Sequence, residues 1–322
     1  MNNVLINACG IKSLGGINVL LTSIQKIKKY AKIELLVSEE NLKNKLSLVN
    51  DENIVITKTP RFTHPFLPFF LNKDLKKWIN SFDTIIHFGN FGFKSKTKDI
   101  VFVQNILPYS DKKISFRNII LRYLINRSIK FSFNTIVQNQ HVIDYLPSKF
   151  KSKIRNIGYL SLCKITKSNG RGIVSISNNL KYKNLDFVEK VFNELIMNSD
   201  SDFNLTLILD EERKLNNPAI TLKSNINSYQ VEKELGNHSI YFHASSLETL
   251  CLPLFEAQKS GLLIVAPNLD YARNASFEKK YLYNHLDLHE AIRCIKNAIT
   301  DLDNLESIEI NTYDENWENV LK

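Results

Sequence analysis

Short apolar runs rich in β-branched residues alternate with longer amphipathic stretches along the whole chain. Six runs in the first half are typical of buried strands: Val4–Ala8, Ile33–Val37, Ile54–Thr57, Thr84–His87, Ile100–Val103 and Thr135–Val137. Stretches with helical periodicity lie between several of them, at 17–29, 40–49, 72–82 and 112–131. Because strands that alternate with helices form βαβ units, the pattern predicts a mainly parallel sheet.

The second half of the chain repeats this alternation. We predict strands there at Ile173–Ile176, Leu205–Leu209, Ile240–Phe242 and Leu262–Ala266, and helices at 184–197, 229–235, 253–260 and 286–300. A polar stretch with glycines, KITKSNGRG at 164–172, is typical of a linker. The sequence thus predicts two doubly wound α/β domains, at 1–165 and 166–322, with a last helix able to pack back on the first. Ligands of such sheets bind beyond the carboxyl ends of the strands.

Composition excludes several classes of protein. With 322 residues, 43% of them hydrophobic, the chain is long enough for two cores. Its four cysteines form no CxxC pair, which argues against a disulfide framework or a cysteine zinc site. No apolar run approaches the ~20 residues of a membrane span, and the start MNNVLINACG lacks the features of a signal peptide. We therefore expect a protein of the reducing cytoplasm.

Charge is distributed unevenly within the net value of +9. Residues 1–165 carry 26 lysines and arginines against 10 acids, a net of +16, whereas residues 166–322 carry 16 against 23, a net of −7. A basic half can meet nucleic acid, anionic lipid or a phosphorylated small molecule. No nucleic-acid recognition motif is present, so we expect no nucleic-acid partner.

Two basic segments point to lipid instead. Residues 61–78 mix cations with bulky apolar side chains, and residues 112–131 hold six cations and no acid. Basic amphipathic segments of this kind are typical of elements that lie on a membrane surface. The alternative is a helix that packs on the core and turns a basic face to solvent.

Two acids, Glu248 and Glu256, stand eight positions apart around an apolar stretch, ETLCLPLFE. In one continuous helix they would lie about 12 Å apart along the axis and be unrelated. Pro253, however, predicts a helix start, and Gly261 a helix end. Glu248 then belongs to the preceding loop and Glu256 to the first turns of the helix, from where both can reach one site. Alternatively, Ser245 and Glu248 form a capping box, and Glu248 is merely structural.

Two further loops carry candidate phosphate-binding groups. Gly15 and Gly16 precede a helix predicted to begin at Ile17, where backbone N–H groups can approach a phosphate, although a plain tight turn has the same sequence. Lys181 and Lys183 lie at a loop-to-helix junction, where a lysine can neutralise a phosphate or simply be solvated. The Glu256 carboxylate can accept hydrogen bonds from both hydroxyls of a ribose. Together with the two loops, it suggests a nucleotide-sugar site.

The segment IYFHASSLETLCLPLFEAQKSGLLIVAP, at 240–267, resembles the donor-binding signature of family four glycosyltransferases. Its hallmark is two glutamates separated by seven residues, as in Glu248 and Glu256. Other landmarks of the family follow in order: Gly15-Gly16, VQNILPY at 103–109, TIVQNQ at 135–140, Lys183-Asn184 and Trp317. The resemblance spans nearly the whole chain and implies the GT-B fold, in which two Rossmann-like domains face each other across a cleft.

The resemblance also implies roles for individual residues. Glu256 would hold the ribose of the donor, Glu248 its sugar and Lys183 its diphosphate, with Glu248 and Lys183 the catalytic pair. Gly15 and Gly16 would approach the phosphates from the opposite domain. No metal or other cofactor is expected, because members of the family usually transfer without one.

Three positions depart from the family pattern. Asn178 stands where an arginine normally precedes the lysine by five positions, and Cys251 where a glycine normally precedes Leu-Pro. Both are nevertheless predicted donor-site residues, together with Leu252. Gln104 and Asn105 replace a common histidine and are the candidates on the acceptor side. The departures put the catalytic efficiency or the identity of the donor in question.

The function expected from the resemblance is a retaining transfer of a hexose. The donor would be a nucleotide diphosphate sugar, and the acceptor a lipid-linked saccharide of a bacterial surface polysaccharide such as O-antigen, capsule or lipopolysaccharide. The enzyme would be cytoplasmic and peripheral at the inner face of the cytoplasmic membrane, bound to anionic lipid through its basic half. The alternatives are a sugar-nucleotide 2-epimerase of the same fold and a catalytically inactive homologue that acts as a binding subunit.

Overall fold

Two compact units make up the chain in the computed structural model. One comprises Met1–Tyr159 with Asp314–Lys322, and the other comprises Leu160–Tyr313. The structure describes residues 2–11, 14–38, 53–56, 66–110, 115–158, 165–166, 168, 170, 172–198, 203–215, 217–275, 280–302, 304, 307–308 and 316–321.

The first unit is built on a seven-stranded sheet with the order β3-β2-β1-β4-β5-β6-β7. All its neighbouring strands pair in parallel. From the neighbours β1 and β4, successive strands are added toward opposite edges of the sheet. Doubly wound sheets bind ligands at such a switch point. The strands are β1 Asn2–Asn7, β2 Ala31–Val37, β3 Asn53–Ile56, β4 Thr84–His87, β5 Lys98–Phe102, β6 Asn134–Val137 and β7 Ile154–Asn156.

Helices connect these strands, and several begin at polar caps. Asn72, Ser115 and Asn139 each accept a hydrogen bond from a backbone N–H of the first helical turn, which satisfies one of its free donors. The helices, numbered in chain order, are α1 Leu14–Ile27, α2 Leu67–Phe70, α3 Lys73–Ile79, α4 Leu107–Ser110, α5 Phe116–Phe131 and α6 Gln140–Tyr145.

The second unit is built on a six-stranded sheet with the order β11-β10-β9-β12-β13-β14, again parallel throughout. A short antiparallel pair, β8 Ile165–Thr166 with β15 Ser307–Ile308, belongs to the same unit. The sheet strands are β9 Gly172–Ser177, β10 Asn204–Leu209, β11 Ile220–Ser224, β12 Ile240–Phe242, β13 Leu263–Pro267 and β14 Lys280–Tyr283. The helices are α7 Leu185–Asn198, α8 Ser228–Gly236, α9 Leu252–Lys259, α10 Asp270–Arg273 and α11 Leu288–Leu302.

Both faces of the second sheet are buried. Strand β12 shows this directly, because Ile240 and Phe242 join the core under α7 and α11, whereas Tyr241 joins the core under α9. A strand that is buried on both faces needs apolar residues at successive positions. In this sheet, the four predicted apolar runs are therefore the inner strands β9, β10, β12 and β13.

The prediction of two doubly wound, parallel-sheet domains is confirmed. In the two parallel sheets, the strands that the sequence pattern missed are β7, β11 and β14, and each lies at an edge of its sheet. The fourth edge strand, β3, was predicted, whereas the short antiparallel strands β8 and β15 were missed as well. Edge strands have one neighbour and stay partly exposed, so their sequences are short and mixed in polarity. The helix predicted at 40–49 lies outside the described residues, as do residues 61–65 and 112–114 of the two basic segments.

One predicted helix start is wrong. Helix α1 begins at Leu14 rather than at Ile17. Gly15 and Gly16 therefore lie in the first turn of the helix and not in the loop before it.

A short helix near the end of the chain, α12 Trp317–Leu321, belongs to the first unit. Trp317 is fully buried, and its ring lies 6.1 Å from that of Phe102 in β5. The last carbonyl groups of the helix accept hydrogen bonds from side chains of this unit. The pairs are Asn319 with Arg155, Val320 with Lys98 and Leu321 with Asn2.

No helix in the described ranges is long and apolar enough to cross a membrane.

We predict that Trp317→Ala lowers the free energy of unfolding by about 3–5 kcal/mol, because it removes a large buried ring and leaves a cavity. Urea-induced unfolding measures this change. Phe116→Ala is the control, since the Phe116 side chain is 79% exposed and its loss should change the free energy by less than about 0.5 kcal/mol. Equal effects of the two substitutions would show that α12 does not stabilise the first unit.

Candidate functional site

Two loops of the second unit meet at the carboxyl edge of its sheet. One follows β9 and ends in a 3₁₀ turn, Lys181–Lys183, and the other runs from His243 to Cys251 after β12. Because β9 and β12 are parallel neighbours, their loops leave the sheet side by side. Hydrogen bonds connect them: the carbonyl of Tyr182 accepts from the N–H of Ser246 at 2.7 Å and from the hydroxyl of Ser245 at 3.2 Å.

Side chains from three other places fix the second loop. The carbonyl of His243 accepts from the Tyr283 hydroxyl at 2.7 Å, and that of Ser245 accepts from the Tyr271 hydroxyl at 2.6 Å. Between them, the carbonyl of Ala244 accepts from the Asn184 side chain at 2.7 Å. Three consecutive carbonyls are thus satisfied outside any sheet or helix, and the loop is held in one conformation.

An ion pair between Lys183 and Glu248 occupies the junction of the two loops. The ammonium nitrogen lies 2.5 Å from a carboxylate oxygen, and the side chains are only 14% and 12% exposed. Burial raises the pKa of Glu248, but the hydrogen bond from His243 and the charge of Lys183 outweigh it and hold this pKa at about 2. Burial likewise opposes the ammonium form of Lys183, yet the Glu248 charge raises its pKa above the ordinary value. Both groups are therefore charged at neutral pH.

His243 contacts Glu248 from the interior of the unit, and the sequence analysis did not predict it as a site residue. Its ring is fully buried, with Nε2 3.5 Å from the Glu248 carboxylate and 3.2 Å from the Cys251 sulfur. The other ring nitrogen, Nδ1, lies 3.2 Å from the Tyr241 hydroxyl. Burial lowers the pKa of His243, which favours the neutral imidazole. Burial raises the pKa of Cys251, which favours the thiol.

Cys251 has the backbone conformation of a glycine. Its φ of 62° and ψ of 65° are left-handed, a conformation that costs a side-chain-bearing residue about 1–3 kcal/mol. Glycine adopts this conformation without that cost, which is the physical reason for a glycine before Leu-Pro in the family pattern. Here the position carries a thiol, which lies in the interior beside His243.

Helix α9 follows as predicted, to within one residue. It begins at Leu252 with Pro253 in its first turn, and no side chain caps its N-terminus. Gly261, with a φ of 80°, ends it: the N–H groups of Gly261 and Leu262 donate to the carbonyls of Gln258 and Ala257. The short, bounded helix leaves Glu248 on the loop and Glu256 inside the helix.

Glu256 is half-buried near the start of α9. Burial raises the pKa of its carboxyl, an effect that Lys259 opposes and Glu232 reinforces. Within the described ranges no group donates a hydrogen bond to this carboxylate. No group in the described ranges therefore competes with a ligand for these oxygens.

Two alternatives from the sequence are wrong. Ser245 and Glu248 form no capping box, because the loop there is not helical and the Ser245 hydroxyl instead donates to backbone carbonyls. Lys183 is not a plain solvated lysine, whereas Lys181 is exposed. Asn178 lies in the loop after β9, where its side-chain oxygen accepts from the N–H of Leu180 at 3.1 Å.

The remaining predicted residues belong to the first unit. Gln104 and Asn105 follow β5, and their backbone N–H groups both donate to the side-chain oxygen of Asn90, at 2.6 and 2.9 Å. The Gln104 side-chain oxygen accepts from the N–H of Gly89 at 3.1 Å, while its buried amide nitrogen has no hydrogen-bond partner among the described residues. Their role on the acceptor side stays a prediction, as does that of Gly15 and Gly16 toward the donor.

Comparisons with known proteins identify the fold. No protein-family model matches the chain, and no curated protein matches it by sequence. HepE from Anabaena, solved in complex with UDP-glucose, is 12% identical, with a TM-score of 0.71, covering 94% of this chain and 91% of its own. Sucrose-phosphate synthase from Thermosynechococcus elongatus is 10% identical, with a TM-score of 0.69 and coverages of 94% and 91%. The lipopolysaccharide outer core galactosyltransferase WaaB is 10% identical, with a TM-score of 0.59 and coverages of 93% and 90%. The chain thus has the GT-B fold, whereas membership of family four stays a prediction.

We predict that Lys183→Met and Glu248→Leu each lower the free energy of unfolding by about 3 kcal/mol, since each leaves one largely buried charge without its partner. The double variant should lose clearly less than the sum of the two, because no charge is then left alone. Urea unfolding of the four proteins gives this coupling energy. Strict additivity would mean that the ion pair does not hold the two loops together.

Proposed function

We propose that the protein is a retaining glycosyltransferase that takes a hexose from a nucleotide diphosphate sugar. The observation that carries this proposal is the charged Lys183–Glu248 pair, buried at the carboxyl edge of the second sheet of a GT-B fold. Glu248 and the uncapped start of α9 lie on the same loop, and Lys183 contacts Glu248 from the neighbouring loop. The structural likeness to HepE, which was solved with UDP-glucose, supports the same class of donor.

The donor would meet three kinds of group. Its diphosphate is attracted by the Lys183 ammonium and by the positive dipole end of α9. Its ribose hydroxyls donate to the Glu256 carboxylate, which has no competing donor in the described part of the chain. Glu248 accepts from hydroxyls of the sugar, and Lys183 turns from Glu248 toward the phosphate as the donor enters. Asn178, Cys251 and Leu252 line the same two loops.

Transfer then depends on electrostatic stabilisation. As the bond between sugar and phosphate breaks, negative charge grows on the diphosphate, and Lys183 and the start of α9 stabilise it. The acceptor hydroxyl attacks from the face that the diphosphate leaves, and the departing phosphate takes the hydroxyl proton. The anomeric configuration is retained without an enzymic nucleophile, and transfer needs no metal because Lys183 supplies the positive charge.

For the acceptor we propose a lipid-linked saccharide of a bacterial surface polysaccharide, reached at the inner face of the cytoplasmic membrane. The first two turns of α5 support this proposal. Phe116, Ile119, Ile120 and Tyr123 follow helical spacing and are 79%, 50%, 43% and 65% exposed, so an apolar stripe faces water. Packing on the core explains only the second half of α5, where Ile125 and Ile129 are buried.

Cations accompany the apolar stripe. Arg117 is exposed beside it, and the Arg127 guanidinium lies 5.2 Å from the ring of Phe66. Each lysine or arginine near an anionic leaflet contributes about 1 kcal/mol, so a few are enough for reversible binding. The likeness to WaaB, a lipopolysaccharide outer core galactosyltransferase, agrees with an acceptor of this class.

We predict that Glu256→Ala weakens the binding of UDP-glucose at least tenfold, about 1.4 kcal/mol, because the ribose loses its acceptor. Isothermal calorimetry measures the affinity, after a thermal-shift screen of nucleotide sugars has identified the best donor. Glu194→Ala is the matched control, since this glutamate lies in the last two turns of α7 and its charge does not act on Glu256. An unchanged affinity in Glu256→Ala would refute the role of Glu256. If the protein bound the donor but never hydrolysed it slowly, the protein would be a binding subunit. If it converted the donor into another nucleotide sugar in the absence of an acceptor, it would be an epimerase.

We predict that the protein sediments with anionic vesicles and not with neutral ones at low salt, and that Phe116→Ser with Tyr123→Ser reduces this binding severalfold. Met197→Ser with Tyr229→Ser is the control pair, because these side chains are 80% and 75% exposed in the second unit. If the control pair lost as much binding, or if neutral vesicles bound the protein equally well, docking through α5 would be wrong.

A further inference from the structure

Three side chains of different chemistry converge beside Lys183. They are His243, Glu248 and Cys251, and each offers one ligand atom within 4.8 Å of the other two. The imidazole Nε2 lies 3.2 Å from the Cys251 sulfur and 3.5 Å from a Glu248 oxygen. Zinc bonds to nitrogen, oxygen and sulfur of about 2.0–2.3 Å place tetrahedral ligand atoms about 3.4–3.6 Å apart. The two separations from Nε2 are therefore close to those of zinc ligands, and the third, between the Cys251 sulfur and the Glu248 carboxylate, is at most 4.8 Å.

The surrounding structure holds these ligands in place. Cys251 keeps its left-handed backbone, and Glu248 lies three residues earlier on the same anchored loop. The Tyr241 hydroxyl contacts Nδ1 of His243 at 3.2 Å, which leaves Nε2 to face the other two ligands. A metal-bound histidine is usually oriented in this way, through a hydrogen bond at its second nitrogen.

We propose that His243, Glu248 and Cys251 bind a thiophilic divalent cation, for which Zn²⁺ is the fitting ion, and that the bound ion excludes the nucleotide-sugar donor. A mixed set of nitrogen, oxygen and sulfur ligands suits Zn²⁺, whereas Mg²⁺ and Ca²⁺ prefer oxygen alone. The exclusion of the donor rests on the function proposed above; the binding of the ion does not.

Lys183 is the natural competitor of the ion. Its ammonium lies 2.5 Å from the Glu248 carboxylate and must leave that oxygen when the metal enters. The thiol of Cys251 releases its proton to solvent at the same step. One doubly charged ion thus replaces an ammonium and a proton, so the total charge of the buried cluster does not change. Bound Zn²⁺ would occupy the Glu248 carboxylate, which the sugar of the donor needs. It would also displace the Lys183 ammonium from that carboxylate.

Cobalt reports directly on such a site, because Co²⁺ bound to a thiolate gives a charge-transfer absorption band. The full chain, freed of metal with a chelator, is titrated with Co²⁺ and then with Zn²⁺. We expect the band in the wild type, its loss on addition of Zn²⁺, and its absence in Cys251→Gly. Glycine adopts the left-handed backbone readily, so this variant is expected to fold. Cys294→Ala, which removes a buried thiol elsewhere, should keep the band.

Absence of the band in the wild type, or its persistence in Cys251→Gly, would overturn the metal site. Lys183→Met adds a second readout that does not depend on activity. Since the competing ammonium is gone, Zn²⁺ should bind at least tenfold more tightly and raise the melting temperature more than in the wild type. Weaker binding of Zn²⁺ by Lys183→Met would contradict the competition.

Calorimetry with UDP-glucose tests the exclusion of the donor. Saturating Zn²⁺ should weaken donor binding at least tenfold in the wild type and leave it unchanged in Cys251→Gly. The variant corrects for any direct contact between Zn²⁺ and the diphosphate of the donor. Equal donor affinity of the wild type with and without Zn²⁺ would overturn the exclusion. If the metal-free protein binds none of the nucleotide sugars screened while the cobalt band is present, the proposed function fails and the metal site stands.

Discussion

The buried ion pair of Lys183 and Glu248 is the interaction on which the site of the second unit depends. Removing either charge from water costs several kcal/mol, and the pair is stable only because its partners face each other at hydrogen-bond distance. Their loops must therefore stay fixed. Tyr271 and Tyr283 achieve this by donating to loop carbonyls, and Asn184 connects the loops directly. A charged pair held in this way is available to a charged ligand without rearrangement of the backbone.

The same constraint explains the least usual residue of the site. Cys251 keeps a strained left-handed backbone, because the chain must turn there from the anchored loop into α9. A glycine would turn as easily but would leave the space beside His243 empty. The thiol fills this space and adds a soft ligand atom to an imidazole and a carboxylate. One cluster thus has two proposed occupants, a phosphorylated sugar donor and a thiophilic cation, which would compete because both proposals place a ligand on Glu248.

Sequence patterns predicted the central strands well, since a strand buried on both faces carries apolar residues at successive positions, as in Ile240–Phe242. The same reasoning missed β7, β11 and β14, because edge strands are held by one neighbour and need no such pattern. In the site, Pro253 and Gly261 are local signals of a helix start and end, and they correctly separated Glu248 from Glu256. The start of α1 was misplaced because the glycine pair, Gly15 and Gly16, suggests a loop rather than a helical turn.

By itself, the sequence determined the two doubly wound domains and the pair of glutamates on either side of a helix start. These features depend on residues close together in the chain, whose spacing and backbone preferences act locally. Only the tertiary structure decided that Lys183 neutralises Glu248, that His243 lies between Glu248 and Cys251, and that two distant tyrosines hold the loop. These contacts join residues up to 65 positions apart, and such pairing follows from the order of strands in the sheet, which no local pattern encodes.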